Sequence, residues 1–248
     1  MLLKNRLSIP AKNGAHSANI DAAEVAKFDQ LAHDWRDPNG RFSSVLAFNQ
    51  VRLGYIQQQI IDHFGDKSIS ILDVGCGAGL LTQPLAELGH RVVGIDASHV
   101  NVRVATHHGK GIDNLEYRHC LSGEMLSENK HFDLVLNTEV LEHVPDPSQL
   151  LEECAQLVHS QGMMILATLN RTWQSFLIGI IGAEYVLRAL PIGTHDWRAF
   201  VTPQELENTL KPLGFHLGRA TGMSYNPLTK KWRTTASTAV NYLVSVTR

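Results

Sequence analysis

The sequence predicts a doubly wound α/β fold with a mainly parallel sheet, and three observations predict it. From Ile69 onward, short β-rich apolar runs alternate with segments of helical spacing. Such alternation implies right-handed crossovers between parallel strands. Between the first strand and its helix stands Asp73-Val74-Gly75-Cys76-Gly77-Ala78-Gly79, whose glycines let the backbone bend tightly and let a ligand approach. Asp96 closes the next strand, about 20 residues beyond that turn, where an acid can accept hydrogen bonds from the hydroxyls of a ribose.

The elements follow in order. Asp21 to Glu24 reads as a capping box, which predicts a helix running to about Trp35. Asp37-Pro38-Asn39-Gly40 is a turn, and a second helix runs from about Ser44 to His63. Neither helix has strand character, so residues 1–66 read as an arm and a helical lid. Residues 67–248 read as the main domain. Its strands are Ile69–Val74, Arg91–Ile95, Leu115–His119, Phe132–Asn137 and Met163–Thr168. Helices are expected at Leu80–Leu88, after Ser98 as a cap, and at Gln149–His159. Residues 171–200 interrupt the rhythm, about thirty residues where a short loop is usual. Thr202-Pro203-Gln204-Glu205 starts another helix with a second capping box, ending near Gly214. Phe215–Thr221 and Ala239–Thr247 are expected as an antiparallel pair at the sheet edge.

Composition narrows the function. Hydrophobic residues make up 44% of the 248, enough for a core. A net charge of -2 offers no global field to attract nucleic acid. Three widely spaced cysteines argue against a disulfide framework or a cysteine zinc site, and fit a reducing compartment. No run approaches the roughly 20 apolar residues of a membrane span. Lys4, Arg6 and Lys12, with no acid among the first twenty residues, read as a basic arm or a remnant of an organelle-targeting segment rather than a secretory signal.

The glycine turn has two readings, separated by its neighbours. A dinucleotide fingerprint needs a third glycine where Leu80 stands. Asp73, just before the turn, would repel a pyrophosphate but tolerates a sulfonium and a free amino group. Asp73, the alternate glycines and Asp96 together resemble the class I methyltransferases, a Rossmann-like fold. That resemblance implies S-adenosylmethionine as cofactor and a seven-stranded sheet whose last strand is antiparallel. The cofactor would lie at the topological switch point.

More specific strings narrow the resemblance. Val51-Arg52-Leu53-Gly54-Tyr55-Ile56 lies in the second helix, and Glu139-Val140-Leu141-Glu142-His143-Val144-Pro145-Asp146-Pro147 follows the fourth strand. Thr168-Leu169-Asn170-Arg171 follows the fifth. Gly182–Arg188 and Gly193–Asp196 fall in the insertion, and Gly222-Met223-Ser224-Tyr225-Asn226-Pro227 lies between the last strands. In this order they resemble the ubiquinone-biosynthesis O-methyltransferases over nearly the whole chain. The resemblance implies methylation of catechol-type hydroxyls on polyprenylated rings: an early polyprenyl catechol or its benzoate, and demethylubiquinol. It implies cofactor contacts at Arg52, Gly75, Asp96 and Thr138, to which the turn itself adds Asp73 and Gly77. Arg52 would reach the methionine carboxylate.

Methyl transfer to a phenol needs a base or a cation near the oxygen, because a phenol with a pKa near 10 is mostly protonated at neutral pH. His143 and Glu142 are the catalytic candidates. Glu139, Glu142 and His143 stand at i, i+3 and i+4. On one helix face they could hold Mg2+ or another divalent cation, as is described for some members of this family. The alternative is that the glutamates cap a helix and His143 acts without metal. In the insertion, Phe176 to Ala183 is an apolar run flanked by Trp173 and Tyr185. It reads either as a membrane-facing lid or as a buried lid helix. Phe176, Ile178, Ile181, Tyr185, Arg188 and His195 are its candidate membrane and substrate residues, with Arg171, Arg188 and Arg198 available to lipid phosphates. The expected setting is cytoplasmic or on the mitochondrial matrix side, peripheral on the inner membrane. Expected partners are a polyprenylated phenol or quinol, the lipid surface and other ubiquinone-biosynthesis proteins, with no nucleic acid. Two other readings stay open: a class I methyltransferase for another small phenol or amine, and a non-catalytic lipid-binding or scaffold protein.

Overall fold

A computed structural model describes residues 19–40, 42–178, 196–226, 228, 229 and 231–248. Its helices are α1 Ala22–Leu31, α2 Ser43–Phe64, α3 Thr82–Glu87, α4 His99–His108, α5 Ser122–Leu126, α6 Pro147–Leu157, the single turn α7 Trp173–Ser175, and α8 Pro203–Leu210. Its strands are β1 Ser70–Val74, β2 Arg91–Asp96, β3 Leu115–His119, β4 Phe132–Thr138, β5 Val158–Leu169, β6 His216–Leu217, β7 Gly222–Asn226, β8 Lys231–Thr235 and β9 Asn241–Thr247.

Seven strands form one sheet in the order β3-β2-β1-β4-β5-β9-β6. The first five pair in parallel, while β9 runs antiparallel to both β5 and β6. The chain leaves β1 for β2 on one side and returns to β4 on the other. The switch point therefore lies at the carboxyl ends of β1 and β4, where open α/β sheets bind ligands. The sheet is buried on both faces. One face packs Leu72, Val135, Leu151 and Leu166 with α6 and α8, and the other packs Ile71, Leu134 and Ile165 against Leu85 of α3.

The expected helix to Trp35 stops at Leu31. Trp35 instead stacks on Phe42 at 4.3 Å and on Phe28 at 6.4 Å. The chain has to turn out of the helix to place that ring. Ile56 and Ile60 of α2 are buried in the same cluster as Ile71 and Leu134. The second helix is thus a lid at one end and a core element at the other, although the sequence boundary at residue 66 separates it from the domain. Thr202 and Glu205 form the expected reciprocal cap on α8. The β7–β8 hairpin is an element the turn-rich sequence between the last strands did not announce.

Candidate active site

The switch point opens into a cavity of about 850 Å³, within the range of small-molecule sites. The loop after β1 forms its floor. Gly75 and Gly77 both take positive φ, +77° and +53°, a conformation that side chains other than glycine rarely adopt. A Cβ on Gly75 would also strike Cγ2 of Val140. Nothing lies within 4 Å of where a Cβ on Gly77 would be, so the backbone there is open to a ligand. Asp96, at the end of β2, accepts from the amides of Gly77 at 2.8 Å and Ser98 at 2.7 Å. These two bonds hold its carboxylate at the rim of the cavity.

Asp73 is buried, with 2% of its surface exposed. Burial pushes its carboxyl up to about 7, against an opposing hydrogen bond from Thr82 Oγ1 at 3.0 Å. A carboxyl so poised favours an incoming cation. Arg52 is also buried, not a surface charge of the helix. Its Nη1 donates to Asn49 Oδ1 at 2.8 Å and its Nη2 to Glu139 Oε1 at 2.7 Å. Its plane lies 4.5 Å over the Phe48 ring. Its Nε is a buried donor with no partner among the described residues. An orphaned guanidinium donor at a cavity wall fits an anionic ligand group, since leaving it unpaired is costly. Thr138, at the end of β4, lines the same cavity. Arg52, Asp73, Gly75, Gly77, Asp96 and Thr138 thus converge as expected, and the donors, acceptors and open turn fit an aminoacyl sulfonium nucleoside.

The string after β4 departs from expectation. No α-helix begins at Glu139, whose φ is +57°; a left-handed residue cannot start a right-handed helix. Only Leu141–His143 forms a single 3-10 turn. The three side chains diverge. Glu139 pairs with Arg52. Glu142 is buried, accepts from Thr168 Oγ1 at 2.8 Å, and is held well above the usual carboxylate range by burial and by the neighbouring Glu139 charge. His143 turns the other way, to Glu24 of α1, with Nδ1 2.9 Å from Oε2. Among the described residues, no group of three His, Cys, Asp or Glu side chains could hold a metal ion. The expected common face for a divalent cation is not present, because it required a helix that the backbone does not make. Glu142, buried beside Thr168, does not line the cavity, whereas His143 and Glu139 do.

Sequence reasoning missed several wall residues. Phe28 and Trp35 come from the lid, and Trp232 from β8 with its Nε1 donating to Ser44 Oγ at 3.2 Å. Glu153 is buried in α6, bonded by Ser122 Oγ at 2.5 Å and Gln149 Nε2 at 2.8 Å. A carboxylate on the inward face of an amphipathic helix was the available signal for it. In the insertion, Phe176 and Ile178 are exposed by 42% and 59%, beside Trp173 at 66% and Leu177 at 45%. Arg198 is exposed. Arg171 is not available to lipid, because it is ion-paired with Glu205 and donates to the Phe200 carbonyl at 3.1 Å. Ile181, Tyr185, Arg188 and His195 lie outside the described residues.

Comparison with known proteins decides the family. A model of the methyltransferase domain matches residues 72–166. The ubiquinone biosynthesis O-methyltransferase of Parvibaculum lavamentivorans is 42% identical, covering 94% of this chain and 96% of that protein. That of Caulobacter vibrioides is 41% identical, covering 96% and 98%. The chain belongs to the ubiquinone biosynthesis O-methyltransferase family. The solved structure of magnesium protoporphyrin IX methyltransferase from Synechocystis, with bound SAH, superposes at a TM-score of 0.67 with 18% identity, over 90% of this chain and 94% of that one. The plantazolicin methyltransferase BpumL in complex with SAH gives 0.62 at 16% identity, over 91% and 98%. At these identities both support the class I fold of this O-methyltransferase and nothing finer.

Proposed function

We infer that this chain is an S-adenosylmethionine-dependent O-methyltransferase of ubiquinone biosynthesis, acting on a catechol-type hydroxyl of a polyprenylated ring. The observation that carries the reading is a single cavity lined together by Asp73, Asp96, Arg52 and His143. Bound S-adenosylmethionine supplies an activated methyl group. The chain's own task is to align the acceptor oxygen with that methyl and to take the oxygen's proton. Arg52 and Asp73 fix the charged end of the cofactor, and Asp96 fixes its ribose. His143 takes the proton at the acceptor side.

The acceptor's tail sets the second half of the proposal. A polyprenyl chain resides in a bilayer, and Trp173, Phe176, Leu177 and Ile178 form an exposed apolar lip. Ile178 also borders the cavity. A contiguous exposed apolar patch marks an interaction surface. Here it is proposed to rest in the membrane interface and receive the tail, making the enzyme peripheral. No helix among the described residues is long and apolar enough to cross a membrane.

The test is turnover of a short-tail demethylubiquinol, with and without a chelator. His143→Ala should lower kcat by about 100-fold or more and leave cofactor affinity nearly unchanged. Equal loss of both would make His143 structural. Turnover abolished by the chelator would return the Glu139–His143 string to a metal. Equal activity on soluble catechols would overturn the polyprenyl assignment.

A further inference from the structure

We propose that Asn241 and Trp232 form the acceptor-ring subsite, with the Asn241 amide donating to the ring oxygen beside the one that is methylated. The assignment deepens the catechol reading above, on which it rests.

The sheet order places these residues. Cofactor groups stand at the carboxyl ends of β1, β2 and β4, and β5 and β9 continue the sheet beyond β4. Leu169, the last residue of β5, pairs with Asn241, the first of β9, and both line the cavity. The cavity therefore extends from the cofactor turn across two further strand ends.

Asn241 opens a strand that continues with the apolar, buried Tyr242, Leu243 and Val244. It is itself 5% exposed. Its Oδ1 accepts from the Met223 amide at 2.7 Å, which ties the β7–β8 hairpin to the sheet. A backbone N–H can only donate, so the amide oxygen has to face Met223 and Nδ2 is the group left over. Among the described residues Nδ2 has no hydrogen-bond partner. Unlike Arg52 Nε, it is not sealed from solvent, and the residue lines the cavity. A nearly buried donor is costly to leave unpaired, so the oxygen of a ligand belongs there.

The neighbouring walls fit a flat ring. Trp232 of β8 and Phe48 of α2 both line the cavity, with ring centroids 4.7 Å apart and planes at 63°. Trp232 Nε1 donates to Ser44 Oγ at 3.2 Å, which fixes the indole against α2 with its polar atom satisfied. Ile178 of the exposed lip borders the same cavity and gives an apolar tail an exit. Aromatic walls, one neutral donor and an apolar exit select a ring that carries an acceptor oxygen and an apolar tail. The oxygen that Asn241 reads is the neighbour of the reacting one. A donor on the reacting oxygen would tie up the lone pair that forms the O–CH3 bond.

The test compares a short-tail prenyl catechol with the monophenol that lacks the neighbouring oxygen. A site built to bond an oxygen rejects the analogue without it, so the parent should favour the catechol in kcat/KM by about 100-fold or more. Asn241→Asp keeps an acceptor for the Met223 amide and removes the donor. It should cut that preference by about tenfold or more, chiefly through acceptor KM, with cofactor Kd within about threefold of the parent. Asn241→Leu, near in volume and uncharged, should lose the preference equally, which separates the lost donor from the cost of a buried carboxylate. Trp232→Phe gives a readout independent of turnover. In protein saturated with S-adenosylhomocysteine, the catechol should quench tryptophan fluorescence, and Trp232→Phe should remove most of that quenching. An undiminished catechol preference in either Asn241 variant would overturn the role of Asn241. Loss of cofactor binding in both would make Asn241 a structural residue of the sheet and overturn it too. Full quenching in Trp232→Phe would overturn the placement of the ring. A parent that turns over neither acceptor would instead remove the catechol reading itself.

Discussion

Desolvation sets the charge of Asp73, and with it the pH response of the cofactor site. Its carboxyl is pushed up to about 7 by burial, with the nearby Asp96 adding to the effect and Thr82 and Arg52 opposing it. A bound cation favours the ionised form, so cofactor binding and proton release are linked. Cofactor affinity should fall as pH drops through about 7, with a proton released on binding near neutrality. Calorimetry in buffers of different ionisation enthalpy measures both; flat affinity across neutral pH would detach Asp73 from the cofactor. For the ligand-free fold the sign is opposite. A folded-state value above the ordinary 3.8 adds stability that is complete below that value and lost as pH rises through about 7. Asp96 answers to a different test. Asp96→Ala should weaken cofactor binding by about 1–3 kcal/mol, because ribose hydroxyls lose a charged acceptor. It should also loosen the turn, since the Gly77 and Ser98 amides lose their partner. Unchanged affinity by titration would remove Asp96 from the ribose site.

At the scale of elements, the proposed membrane contact rests on the exposed lip after β5. Phe176 and Ile178 are exposed by 42% and 59%, so replacing both with Asp should leave the core intact. Each apolar side chain taken from water into lipid contributes about 1.5–3 kcal/mol, and the new carboxylates would be repelled by anionic headgroups. Phe176→Asp with Ile178→Asp should therefore release the protein from anionic vesicles in a sedimentation assay. Activity on a long-tail acceptor in vesicles should fall while a soluble short-tail analogue still turns over. Retained vesicle binding would place the membrane contact elsewhere. The β7–β8 hairpin contributes Trp232 to the cavity lining. Trp232 packs on Phe48 at 4.7 Å and ties that wall to α2 through Ser44.

Across the whole molecule, the lid and the cofactor loop are one mechanical unit. Arg36 donates to the carbonyls of Ala78 and Gly79 and to Gln83 Oε1, each at 2.8 Å. Asp29 of α1 meets Ser98 at the foot of α4. Phe28, Trp35 and Phe42 stack along the lid. A ligand that binds only the folded loop should thus stabilise the lid as well, by about 2.7 kcal/mol at a concentration one hundred times Kd. Arg36→Ala should uncouple the two. Limited proteolysis in residues 19–40 should be suppressed by cofactor in the parent and much less so in the variant, and equal protection in both would refute the coupling.

What the sequence by itself determined is what short spacing controls. The strands at Leu115–His119 and around Ile69–Val74, the glycine turn, the Asp96 position and the Thr202–Glu205 cap were all legible, because each depends on residues a few places apart. The turn residues Asp73, Gly75 and Gly77 and the Asp96 position were legible for the same reason, since they sit at strand ends that periodicity locates; Arg52, inside α2, was named only through the family resemblance. Only the tertiary structure decided the acceptor half. Glu139 takes a left-handed backbone and pairs with Arg52, 87 residues away, so the helix face that spacing predicts for Glu139, Glu142 and His143 does not form. Glu24 leaves a local cap for His143 because a half-buried ring offers its carboxylate a charge-assisted partner that a solvent-facing amide does not. Arg171 turns inward to Glu205 rather than outward to lipid. In each case a long-range partner outweighed the local pattern, and partners of that kind exist only once the sheet has brought distant strands together.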